Sequence, residues 1–248
     1  MSKPKVCLVV GAGDATGGAV AKRFARDGFT ICATRRSLEK LQPLLLHIRK
    51  DGGAAHGFAS DARKEEEVIA LVDLIENSIG PIEVLIFNIG ANSPNSILTE
   101  TARRYTKMWE MACFAGFLNG REVAKRMVSR VNEEEILTKG IVQKGTIIFT
   151  GATASLRGSA NFAGFSVGKM ALRGLAQSMA RELGPMGIHV AHTIIDGAID
   201  TEFVSKLFPE RYALKDQDGI LNPDHIADAY WMLHKQPRDA WTHVTCPL

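Results

Sequence analysis

The chain has 248 residues, 46% hydrophobic and 23% charged, with a formal net charge of +3; it is long and apolar enough for one large core, and too weakly basic to point to nucleic acid. Its four cysteines (Cys7, Cys32, Cys113, Cys246) share no C-x-x-C or metal-ligand spacing, so no metal is expected. No apolar stretch reaches bilayer length and the short polar start is unlike a leader peptide, so a cytoplasmic protein without membrane contact is expected.

Short apolar runs alternate with longer amphipathic segments, the pattern of a parallel sheet covered by helices. A first strand is predicted at Val6–Val10, then a helix at Thr16–Asp27 with Ala19, Val20, Phe24 and Ala25 on one face. A second strand at Thr30–Thr34 leads to a helix at Leu38–Lys50, which Asp51-Gly52-Gly53 ends. A third strand at Ala55–Ala59 precedes a helix at Lys64–Ser78, closed by Gly80-Pro81. The fourth strand is predicted at Val84–Asn88. A long helical stretch, Thr99–Val131, and a solvated segment, Asn132–Lys144, connect it to a fifth at Thr146–Thr150. A second long helix at Asn161–Leu183 is closed by Gly184-Pro185, and a sixth strand follows at Ile188–Ile195. No repeat or linker divides residues 1–248. The expected fold is therefore one α/β domain: a Rossmann-like, doubly wound parallel sheet of about seven strands with helices on both faces, a three-layer sandwich, since each crossover is right-handed.

The turn after the first strand reads Gly11-Ala12-Gly13-Asp14-Ala15-Thr16-Gly17. Glycines between a strand and a helix let the backbone approach a pyrophosphate, and the helix start offers free N–H groups. This placement is what distinguishes a dinucleotide loop from an ordinary tight turn.

The loop resembles that of the short-chain dehydrogenase/reductase family, with Gly11 and Gly17 as the outer glycines and Ala15 at the usual middle one. The resemblance extends over about residues 5–235 and is most specific in Phe165–Leu175 and Ala180–Val190. It implies cofactor contacts from Gly11, Gly13, Asp14, Ala15, Thr16 and Gly17. NAD-binding relatives carry an acid at the end of the second strand; here Thr34 stands there, followed by Arg35 and Arg36. Cations are disfavoured at a helix start, whereas a guanidinium suits a 2′-phosphate, so NADP(H) is favoured over NAD(H). Asp61 and Ala62 are implied at the adenine, Asn88 and Gly90 as the remnant of an Asn-Asn-Ala-Gly motif, and Gly197, Ile199 and Thr201 beside the phosphate and nicotinamide amide. Asp196 replaces the family's proline ahead of Gly197.

The same resemblance implies a Tyr-x-x-x-Lys pair, a serine thirteen residues before the tyrosine, and an asparagine on the preceding long helix. Lys169 is kept, but Phe165, Ala152 and Cys113 occupy the Tyr, Ser and Asn positions. Loss of a general acid costs on the order of 10²–10⁴ in rate. Tyr212, in a lid over about residues 200–222, is a candidate substitute acid; His192 is expected to be packed rather than catalytic. The family's Gly-rich segment after the seventh strand has no counterpart beyond Trp241-Thr242-His243-Val244, which argues against one usual tetramer interface. A homodimer through the helices at 99–131 and 161–183 is expected. Two readings remain open. One is an NADP(H)-dependent oxidoreductase with a non-standard site, passing hydride to a small organic substrate such as an iminium or activated alkene. The other is an NADP(H)-binding protein with little or no turnover: a sensor, regulator or partner subunit.

Overall fold

The computed structural model describes residues 3–90, 93–130 and 143–247. A parallel seven-stranded sheet runs through the molecule in the order β3-β2-β1-β4-β5-β6-β7. Its strands are β1 (Val6–Val10), β2 (Thr30–Arg35), β3 (Ala55–Ala59), β4 (Ile82–Phe87), β5 (Gly145–Ala152), β6 (Ile188–Ile195) and β7 (Val244–Thr245). β1 pairs with β2 on one side and with β4 on the other, so the winding reverses between β1 and β4. A crevice opens at the carboxyl ends of strands at such a reversal, where open α/β sheets hold ligands.

Helices cover both faces. On one side lie α1 (Thr16–Arg26), α2 (Gln42–Lys50) and α9 (Pro223–Lys235), around a core of Phe24, Ile31, Leu45, Ile86 and Tyr230. On the other lie α3 (Glu65–Ser78), α5 (Ala115–Ser129) and α6 (Ala163–Leu183), around Leu8, Leu85, Phe87, Phe149 and Leu172. Strands buried on both faces lose the apolar-polar alternation, which is why β1 reads as a continuous apolar run and β6 buries His189, His192 and Thr193 along with its apolar residues.

Several boundaries differ from expectation for identifiable reasons. β4 begins at Ile82, because Glu83 occupies a bulge between the Val6–Ile82 and Cys7–Val84 pairs, where Lys5 meets it at 3.1 Å. β5 continues to Ala152, since pairing with β6 carries the ladder from Gly145–Ile188 to Ala152–Ile195 despite the poor strand propensity of Gly151 and Ala152. The predicted helix at Thr99–Val131 starts at Ala102, capped by Thr101, whose hydroxyl accepts from the Arg104 N–H at 3.2 Å. It is then broken into α4 (Ala102–Trp109), a π-turn at Glu110–Phe114, and α5. α6 begins at Ala163, because Asn161 has φ of +67°, a left-handed conformation that Asn tolerates and that cannot start a helix. Glu39–Leu41 forms a 3-10 turn ahead of α2. Val131 and residues 132–142 of the predicted surface segment lie outside the described residues.

Candidate active site

The loop between β1 and α1 is held from two directions. Gly11 and Ala12 donate backbone N–H bonds to the Thr34 carbonyl (3.1 and 3.2 Å), which ties the loop to the end of β2. Asn88, just past β4, donates its N–H to the Val10 carbonyl (2.8 Å) and its amide Nδ2 to the Gly11 carbonyl (3.1 Å). A Cβ at Gly17 would lie 2.5 Å from the Gly11 oxygen and 2.9 Å from Asn88 Nδ2, so this glycine is required by packing within the loop. Gly11 itself has φ of +86°. α1 starts at Thr16 with Ala15 at its N-cap, no capping side chain and no acid in its first turn. Its first N–H groups therefore keep their unsatisfied positive character. Thr16 Oγ1 is buried without a hydrogen-bond partner among the described residues. A phosphate oxygen is the kind of partner that N–H groups and a hydroxyl so placed would accept.

Beside this loop, at the carboxyl ends of β1 to β4, lies a cleft of about 260 Å³, whose lining includes Gly11 and Gly13 but not Asp14, Ala15, Thr16 or Gly17. Gly11, Gly13, Thr34, Arg35, Arg36, Asp61, Ala62, Asn88 and Gly90 all line it, although they come from four separate connections. Arg35 donates from Nη1 to Asp14 Oδ1 (3.3 Å) and to the Lys40 carbonyl (3.2 Å). Arg63, another lining residue, grips Asp61 with Nε at 2.9 Å and Nη2 at 2.5 Å, and adds its backbone N–H at 3.1 Å. Bonds from Arg63 to its charged form hold the Asp61 carboxyl down at about 2. Reasoning from sequence missed Arg63: nothing in the run Asp61-Ala62-Arg63 signals that the third residue turns back to clasp the first.

Lys169 stands behind the cleft, one helical turn after Phe165 on α6. Only 3% exposed, it donates from Nζ to the carbonyls of Ile89 (3.1 Å) and Thr150 (2.8 Å), bridging the ends of β4 and β5. Burial pushes its pKa down to about 8. An ammonium has three donors, and these carbonyls account for two among the described residues. Phe165 is half-buried and brings no polar atom. At Ala152 the backbone N–H donates to Ser155 Oγ (3.1 Å), which also bonds His192 Nε2 (3.1 Å). Burial drives the His192 pKa down to about 3, with Lys169 and Arg173 adding to the shift, so this histidine is neutral and packed as expected. Cys113 sits inside the π-turn, half-buried, its thiol pushed up by burial.

One residue beyond the Ala152–Ile195 pair, Thr153 donates its hydroxyl to the Asp196 carboxylate. The sequence gives each residue a place but not the contact, which bridges 43 positions. Buried Asn119 is likewise unforeseen: its Nδ2 donates to the carbonyls of Ala62 (3.3 Å) and Ala115 (2.8 Å), anchoring the cleft wall to α5.

Gly197, Ile199 and Thr201 lie on the segment after β6, apart from the cleft lining. Gly197 packs against Leu221, where a Cβ would come within 2.9 Å of its side chain, and Ile199 forms a β-bridge with the same residue. Thr201 caps α7 (Glu202–Leu207) by accepting from the Val204 N–H at 3.1 Å. Tyr212, in α8 (Pro209–Tyr212), donates to Asp200 Oδ1 (2.8 Å), and Lys215 meets Asp200 Oδ2 at 2.8 Å. The hydroxyl named as a substitute acid is thus engaged within the segment that follows β6. Tyr230, fully buried, bonds Thr150 Oγ1 at 2.8 Å and belongs to the core. Among the described residues, no cluster of His, Cys, Asp and Glu could hold a metal, and no helix is long and apolar enough to cross a membrane.

Known proteins resemble this arrangement over nearly its whole length. A short-chain dehydrogenase from Rhodopseudomonas palustris has a similar crystal structure, with a TM-score of 0.79 and 42% identity over 98% of both chains. A metagenomic short-chain oxidoreductase in complex with NADP shares the fold, with a TM-score of 0.80 and 22% identity over 100% of this chain and 99% of that one. The short-chain reductase protein NovJ of Streptomyces niveus is 27% identical over 228 residues, 90% of this chain and 79% of NovJ. The short chain dehydrogenase family model matches residues 5–211, from β1 into α8. The matched span and the shared parallel-sheet fold show that the chain belongs to the short-chain dehydrogenase/reductase family.

Proposed function

We propose that the cleft binds NADP(H), in preference to NAD(H), and that the chain is an oxidoreductase transferring hydride to a small organic substrate without the tyrosine and serine hydroxyls usual in its family. Lys169 carries this reading. A buried ammonium is costly unless it is used, and here it keeps one donor beyond its bonds to Ile89 and Thr150 among the described residues. That donor suits a ribose hydroxyl. The α1 N-terminus and Thr16 suit the diphosphate, and Arg35 and Arg36 suit the 2′-phosphate.

When bound, the nicotinamide supplies or accepts the hydride. The chain's own residues orient and enclose. With its pKa near 8, Lys169 is mostly protonated at neutral pH and holds the sugar as a cation. Phe165 presents an apolar ring where a proton donor would act, which favours substrates that take hydride at carbon without simultaneous protonation at oxygen, such as iminium ions or activated alkenes. Thr153 and Asp196 form the hydroxyl–carboxylate pair at the ends of β5 and β6. The lid over residues 200–222 selects the substrate. We place this activity in a single cytoplasmic domain over residues 1–248, paired as a homodimer through the helices expected at 99–131 and 161–183, with neither nucleic acid nor membrane as partner.

A second reading draws on Phe165 and Ala152: a site without either hydroxyl also fits a nucleotide-binding sensor, regulator or partner subunit with little turnover. Fluorescence titration with NADPH and NADH, followed by single-turnover oxidation of bound NADPH against aldehydes, ketones, imines and enones, separates the two. The oxidoreductase reading expects saturable NADPH binding and oxidation by at least one imine or enone. Binding without oxidation by any of these compounds assigns the chain to the second reading.

A further inference from the structure

We propose that Asp14 competes with the nucleotide's 2′-phosphate for Arg35, so that the Asp14–Arg35 pair weakens the cleft's preference for NADPH over NADH. This rests on the reading that the cleft takes a nicotinamide dinucleotide.

The two arginines with acidic partners around the cleft are engaged differently. Arg63 is committed: it holds Asp61 through Nε, Nη2 and its backbone N–H, and the Asp61 side chain is only 17% exposed. Arg35 is exchangeable. Its one acidic partner among the described residues is Asp14, reached through a single contact of 3.3 Å, and the Asp14 side chain is 90% exposed. An ion pair of that kind is weak because water screens it. The Arg35 side chain, at 27% exposure, is more ordered, since Nη1 also donates to the Lys40 carbonyl.

The contact follows from the fold. Bonds from the Gly11 and Ala12 N–H groups to the Thr34 carbonyl fix the loop against the end of β2, so that Asp14 lies beside Arg35. A phosphate dianion offers the guanidinium two acceptor oxygens and displaces a singly bonded carboxylate. The displaced Asp14 stays within a few ångströms and opposes the new anion. NADH has a hydroxyl at that position and meets neither competition nor like charge. Screened pairs and like-charge opposition of this kind correspond to about a five- to ten-fold change in affinity.

The test is fluorescence titration of the full chain with NADPH and with NADH, for the wild type, Asp14→Asn, Asp14→Ser, Arg35→Ala and the Asp14→Asn/Arg35→Ala double variant. We expect Asp14→Asn to tighten NADPH about five- to ten-fold and NADH less than two-fold, with Asp14→Ser behaving alike. Without Arg35 the same substitution should gain less than about three-fold for NADPH. If both Asp14 variants leave the NADPH-to-NADH affinity ratio within two-fold of wild type, or lower it, the competition is overturned while the nucleotide reading stands. If wild type binds neither nucleotide, the dinucleotide reading fails and takes this inference with it.

Discussion

Phe165 and Lys169 occupy successive turns of α6, and the contrast between them defines the site: the cation is buried and bonded, while the position before it offers no proton. A double variant, Phe165→Tyr with Ala152→Ser, restores both hydroxyls. We expect it to gain reduction of simple aldehydes by NADPH, at least ten-fold above wild type in a steady-state assay, on the scale of a restored general acid. Tight NADPH binding with no gain would show that the pocket around these positions is closed. Lys169 also has a signature independent of turnover. Its folded pKa of about 8 lies below the ordinary 10.5, so between those values the unfolded chain binds the extra proton. Stability of the wild type relative to Lys169→Met should therefore be flat below pH 8 and rise toward pH 10, by up to about 1.4 kcal/mol per pH unit. Denaturant titrations at pH 7, 8, 9 and 10 read this directly, and a falling difference would contradict it. At this scale the sequence revealed residue types well: Lys169, Gly11, Gly17 and Arg35 were recognisable from local motifs. It did not reveal pairings. Arg35 with Asp14 and Thr153 with Asp196 are apart along the chain and meet because the sheet brings strand ends together, and Asn119 meets Ala62 because α5 packs beside the loop after β3.

Between the elements, close approach leaves no spare volume. A Cβ at Gly168 would come within 2.9 Å of the Ala112 side chain and 3.2 Å of the Met108 carbonyl, so α6 packs directly on the π-turn and the end of α4. Gly168→Ala should destabilise the fold by roughly 1–3 kcal/mol, measured by urea unfolding, because backbone has to move. A stability within 0.5 kcal/mol of wild type would mean that α4 and α6 can separate freely. π-turns occur disproportionately at functional sites, and this one places Met111 in the cleft lining, with Cys113 two residues further on. The strands were the most legible elements, since runs buried on both faces stand out in composition. The π-turn and the Glu83 bulge were hidden, because each is imposed by neighbouring elements and leaves a sequence that reads as ordinary helix or as a weakened strand.

For the whole molecule, buried His192 and half-buried His234 contribute to the response to acid. His192 and His234 are held at about 3 and about 4 by burial, against an ordinary 6.5. As pH falls below 6.5 the unfolded chain takes up protons that the folded chain refuses, so stability should drop steadily toward pH 4. Thermal unfolding across that range should show the decline, and His192→Gln should flatten part of it. The helix face lined by Phe117, Arg121, Val128, Leu175, Met179 and Met186 is an apolar groove on α5 and α6. If it pairs two copies, Phe117→Asp should convert a dimer to a monomer in sedimentation velocity; a wild-type monomer would remove that assignment. Above all, the proposed function requires a dinucleotide lying across the β1–β4 reversal with Lys169 on its sugar. Isothermal calorimetry of the wild type and Lys169→Met with NADPH tests this most directly. Saturable heat is expected for the wild type and at least ten-fold weaker binding for the variant. No heat from NADPH or NADH at millimolar concentration, or equal affinity in both proteins, would contradict it.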